Sequence, residues 1–157
     1  MISSDDLKMF KIFDRLNNKA LSEIAKILKP VEISEHTTIF REGENSEHLY
    51  FLISGKVLLE QKLTSSVTIT VDTLKPGEIF GTASIMDIPT YTINAVTSEN
   101  SNIFVVDSHK FINLMEKDNS IGYKILKELC IQTKKQLTER TALLSKSISS
   151  HPDFDSL

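Results

Sequence analysis

The amino-acid sequence predicts an α+β fold that is mainly β: a sandwich or closed barrel of short strands, with short helices before it and one long helix after it. Three observations predict it. Between Val31 and Asp107 the chain breaks into seven short runs rich in Ile, Val, Thr, Phe and Tyr, with no long helical pattern among them. Four of the five glycines, Gly43, Gly55, Gly77 and Gly81, fall between those runs, where turns need positive φ or close backbone approach. On either side of this region the apolar spacing becomes that of a helix.

The elements follow in order. Leu7, Phe10 and Phe13 after Ser3-Ser4 predict a first turn of helix. Leu21, Ile24, Ala25 and Leu28 are spaced as one helix face, opened by the cap-like pair Asn17-Asn18 and stopped by Pro30. The strand candidates are VEIS, TTIF, HLYFLIS, KVLLEQKL, VTITVDTL, YTINAVT and NIFVVD, which place the barrel at about 31–107. Ser108 is the expected cap of a short helix holding Phe111, Ile112, Leu114 and Met115. Asp118 or Ser120 opens a long helix over about 119–146, roughly 42 Å in length, with the fifth glycine, Gly122, inside it. One domain over 1–146 is expected, followed by a mobile tail at 147–157 that lacks periodicity.

Composition narrows the function. A chain of 157 residues with 40% hydrophobic residues has the length and apolar content for a real core. Its net charge of -3, with three arginines scattered at Arg15, Arg41 and Arg140, predicts no autonomous nucleic-acid binding. The acidic amino terminus and the lack of an apolar run near 20 residues predict a cytoplasmic protein without a membrane span. The single cysteine, Cys130, reads as a buried or semi-buried helix residue. His36, His48, His109 and His151 are too dispersed to suggest a metal site. Glu42, Glu44 and Glu47 share one polar turn without a nucleophile or histidine placed to work with them. No catalytic set and no metal is therefore expected, and the chain does not read as an enzyme.

The stretch Pro76 to Met86, PGEIFGTASIM, carries the most specific signal. Two glycines four residues apart precede a run able to form one helical turn, and no Lys or Arg occurs from Pro76 to His109. Together with IFDRLNNKALSEIAKIL before the strands, IFREGE at Gly43, LYFLISGKV at Gly55 and FINLME leading into the last helix, it resembles the cyclic nucleotide-binding domain family. The family includes catabolite activator protein-like effector domains, and the resemblance covers about residues 10–146. It implies a double-stranded β-helix (jelly-roll, cupin-like) barrel, here without a DNA-binding domain, since too few residues follow the last helix.

In that family the loop after Gly81 is the phosphate-binding cassette, where amides at the start of a short helix face an anion. The resemblance assigns the site to Phe80, Gly81, Thr82, Ala83, Ser84, Thr90, Tyr91 and Thr92, with the amides of Thr82, Ala83 and Ser84 directed into the pocket. Two family side chains are missing. Thr82 stands in place of a Glu that holds the ribose, and Pro89 or Thr90 in place of an Arg that pairs with the phosphate. No firmly held cofactor is expected, and at most a cyclic nucleotide bound weakly, with Tyr91 or Met86 filling the vacant volume if the ligand is lost.

The last helix adds a partner prediction. Ile121, Ile125 and Leu129 form one apolar line, and Cys130, Leu137 and Leu144 another at seven-residue steps, with Thr133 and Arg140 at the intervening inward positions. That second line predicts a homodimer packed helix on helix. The function expected is a non-enzymatic regulatory, ligand-sensing module that signals to a protein partner. Its rival is a ligand-free protein–protein interaction module on the same scaffold.

Overall fold

The computed structural model describes residues 2–150. After a 3-10 turn at Lys11–Phe13, helix α1 spans Asn18–Ile27. The side chain of Asn17 caps it by accepting from the Ala20 amide at 2.9 Å, one of the donors a helix start leaves unpaired. Eight strands follow: β1 (Lys29–Ile33), β2 (Thr38–Phe40), β3 (His48–Ser54), β4 (Val57–Lys62), β5 (Thr68–Leu74), β6 (Ile79–Phe80), β7 (Asn94–Thr97) and β8 (Ser101–Asp107). A second 3-10 turn, Thr82–Ile85, lies between β6 and β7. Helices α2 (Ser108–Lys117) and α3 (Asn119–Ser149) complete the described chain.

All pairing is antiparallel, in two four-stranded sheets ordered β1-β8-β3-β6 and β2-β7-β4-β5. The architecture is jelly-roll-like and mainly β, flanked by helices. The expected closed barrel is corrected: among the described residues no ladder joins the two sheets, and β1, β6, β2 and β5 are open edges. The strands that would close it are too short. β6 has two residues, and β2 has three with its register broken between Thr38 and Phe40. Pro30, which lacks a ladder donor, sits on the edge strand β1.

Strand β3 divides the core in two because its side chains alternate. Leu49 and Phe51 point into a cluster shared with the helices, where Phe51 lies 5.3 Å from both the Phe10 and Phe13 rings. Tyr50 and Leu52 point into a second cluster between the sheets with Phe40, Phe80 and Tyr91. Burial on both faces explains the near-continuous apolar run LYFLI.

The carboxyl-terminal helices refine several expectations. Asp107, rather than Ser108, caps α2, accepting from the Lys110 amide at 3.0 Å, while Ser108 is buried. Asp118 caps α3 by accepting from the amides of Ser120 and Ile121. Gly122 lets α3 cross α2 closely, since a Cβ there would stand 2.8 Å from the Met115 carbonyl. Helix α3 continues to Ser149, so 147–149 belong to it rather than to a tail, and 151–157 lie outside the described residues. Cys130 is exposed, which corrects its expected burial: Ile121, Ile125 and Leu129 set the inward face, and the next residue turns about 100° away.

Candidate functional site

The site is built around the turn after β6. Pro76-Gly77 reverses the chain, and Glu78 closes that reversal by accepting from the Lys75 amide at 2.7 Å. Gly81 then adopts φ of 76°, and a Cβ there would meet the Tyr50 ring at 2.8 Å and the His48 carbonyl at 2.9 Å. Both the conformation and the space therefore require glycine. In the turn itself the Ser84 amide donates to the Gly81 carbonyl and the Met86 amide to the Ala83 carbonyl, each at 3.1 Å. The amides of Thr82 and Ala83, its first two residues, have no acceptor among the described residues. The expectation for Ser84 is thus corrected, because its amide is used within the turn.

Beside this turn lies a cavity of about 270 Å³. Its apolar walls come from Phe40, Leu59, Leu74, Phe80 and Tyr91, and its roof from one face of α3: Leu129, Gln132, Thr133, Gln136 and Arg140. The charged groups in the wall are Asp72, Glu78 and Arg140. Arg140 donates from Nη2 to Asp72 Oδ2 at 2.7 Å, so its guanidinium is already engaged. Gln132 Nε2 is buried and without an acceptor among the described residues.

The structure brings together six of the eight predicted residues, Phe80, Gly81, Thr82, Ala83, Tyr91 and Thr92. Ser84 and Thr90 do not line the cavity. Ser84 is buried with its Oγ unpartnered among the described residues, and Thr90 bridges Asn45. Pro89 also turns toward that loop, its carbonyl accepting from the Ser46 amide at 3.0 Å. Tyr91 and Thr92 reach the cavity from this segment instead.

Tyr91 stacks on Phe40 at 3.8 Å, accepts from the His48 amide and donates to the His48 carbonyl. It is a wall rather than a plug, and Met86 is 42% exposed, so neither fills the volume. Tyr50, stacked on Phe80 beneath the turn, has its phenol pushed well above the ordinary range, by burial first and then by the neighbouring Tyr91.

Of the predicted dimer residues, Thr133 and Arg140 face this cavity, while Cys130, Leu137 and Leu144 do not line it and are exposed. Asp72, Gln132 and Gln136 were missed. The two glutamines share their helix face with Leu129, Thr133 and Arg140 at helical spacing, a signal present in the sequence. Asp72 meets Arg140 across 68 residues and had no local signal.

The family model described as Cyclic nucleotide-binding domain matches residues 30–118. The CRP-like cAMP-activated global transcriptional regulator of Mycobacterium tuberculosis is 33% identical over 86 residues, covering 55% of this chain and 38% of that one. This chain therefore matches well under half the length of that relative. A cyclic nucleotide-binding domain from Methylobacillus flagellatus superposes with a TM-score of 0.78 at 17% identity, covering 90% of this chain and 80% of that one. The sensor domain of the transcriptional regulator DNR from Pseudomonas aeruginosa superposes with a TM-score of 0.71 at 20% identity, covering 87% and 91%. At these identities the two superpositions establish likeness of fold.

Proposed function

The chain belongs to the cyclic nucleotide-binding domain family, and from that premise we propose that it is a non-enzymatic regulatory module that senses a small ligand through a degenerate phosphate cassette. The observation that carries this reading is the cavity between the cassette turn and α3, whose one cation among the described residues is already paired with Asp72. The volume, just below the usual range for such sites, suits only a small ligand. The polar groups left for it are the amides of Thr82 and Ala83, the hydroxyls of Thr82, Thr92 and Thr133, and the amides of Gln132 and Gln136.

Cyclic AMP and cyclic GMP are the first ligands to test, on the family and on the name of the Mycobacterium tuberculosis relative. Thr82 stands where the family carries Glu, and no Arg follows in the segment that ends in Tyr91 and Thr92. Each charge-assisted hydrogen bond so lost is worth about 1.5–3 kcal/mol, which places affinity at least about tenfold below a complete cassette. We place the module in the cytoplasm, as a homodimer through the exposed face of α3 that carries Cys130, Leu137 and Leu144.

The test is calorimetric titration of the whole chain with both nucleotides at low salt. The expected result is heat of binding at submillimolar nucleotide, lost in Gln136→Trp, which fills the cavity from an exposed helix position. Silence up to millimolar nucleotide would remove the sensing reading and leave the ligand-free interaction module.

A further inference from the structure

On the reading that this cavity is a ligand site, we infer that Arg140 is its anion-binding residue and that Asp72 is a built-in competitor, so that an anionic ligand is taken up by exchange for the Asp72 carboxylate. Arg140 is the one cation of the cavity wall among the described residues. It lies on the same face of α3 as Gln132, Thr133 and Gln136, which places its guanidinium at one end of a polar row above the cavity. Gln132 Nε2 in that row is a buried donor without an acceptor among the described residues, an unmet demand that a ligand oxygen would satisfy.

The pair is built for exchange rather than permanence. The Arg140 side chain is 52% exposed and that of Asp72 31%, so solvent screens their attraction and the bond is cheap to break. Among the described residues only one of the five guanidinium donors is committed, through Nη2, so a single hydrogen bond has to be broken for the exchange. Asp72 then acts against an anion twice, by occupying Arg140 and by adding negative charge beside that of Glu78 in the same wall. Removing either half of an ordinary structural ion pair would disturb the site in the same direction. Under exchange, the two halves have opposite effects on ligand affinity.

The experiment is calorimetry of the full chain with cyclic AMP, with inorganic phosphate as competitor, on the native protein, Asp72→Asn, Arg140→Gln and the double variant, all matched for melting temperature. Asp72→Asn is expected to tighten binding by up to about fivefold, and Arg140→Gln to weaken it by a similar factor. With Arg140 already gone, the gain from Asp72→Asn should shrink to the small relief of its own charge, because its main effect acts through Arg140, and phosphate should compete most strongly in Asp72→Asn. If the native protein binds and Asp72→Asn leaves affinity unchanged or lower, exchange is overturned and the sensing reading stands. Binding by Asp72→Asn alone supports exchange while overturning the native chain as a cyclic AMP sensor. Silence from every variant overturns both.

Discussion

At the scale of single residues, Tyr91 in the cavity wall joins two distant parts of the chain. Tyr91 makes two hydrogen bonds through one hydroxyl to the backbone of His48, and so ties the segment before β7 to the start of β3. Tyr91→Phe keeps the stack on Phe40 but leaves both backbone groups of His48 unmet, at a cost of about 1–3 kcal/mol, measurable by urea denaturation. A change under about half a kcal/mol would mean that water replaces the hydroxyl there.

Tyr50 sets a pH limit. Its phenol is raised well above its ordinary range by burial and then by Tyr91, so the folded state holds that proton more tightly than the unfolded chain. Its contribution is complete below about pH 10 and is lost as pH rises beyond it, where unfolding releases the proton. Stability should therefore decline above about pH 10, and Tyr50→Phe should flatten that decline; an equally steep fall in the variant would assign it to other groups. Local residues such as Gly81 and Asn17 were legible from sequence because turn and cap chemistry acts over three or four positions. The Arg140–Asp72 pair was not, because it depends on how α3 lies over β5.

At the scale of elements, period and caps made most of the fold legible. HLYFLIS coincides with β3, and the apolar spacing in α1 and α3 gave both helices. The misses share a cause. A two-residue strand such as β6 carries no period to read, and closure of a barrel depends on edge pairings that no single run encodes. Asp107 and Ser108 are both good cap residues, so composition alone does not choose between them.

The Asp118 cap joins the last two helices, and it is the element-scale test. Its carboxylate accepts two amides at the start of α3, where the helix dipole also favours negative charge. Asp118→Ala should cost about 0.5–2 kcal/mol in denaturant, and Asp118→Asn distinctly less, since Asn retains an acceptor. Equal losses from the two would point to charge rather than to the cap.

At the scale of the whole molecule, the question is what supports the far half of α3. No residue from 130 to 150 is buried, yet Leu137, Leu143, Leu144 and Ile148 are each at least 46% exposed there. Twenty residues of helix are marginal in water without tertiary support, and one screened ion pair to Asp72 supplies little. In the proposed homodimer a second copy of the same helix would provide the missing surface: Cys130, Leu137 and Leu144 repeat at seven residues beside the cavity-facing Thr133 and Arg140, so one helix would serve ligand and partner on adjacent faces. Sedimentation should then show a dimer that Leu137→Lys with Leu144→Lys converts to monomer. If the helices run parallel, the two exposed Cys130 thiols meet across the axis, and mild oxidation should yield a cross-linked dimer on a non-reducing gel. A native chain that sediments as monomer removes the dimer, whereas a dimer that oxidation fails to cross-link retains it with the helices in another register.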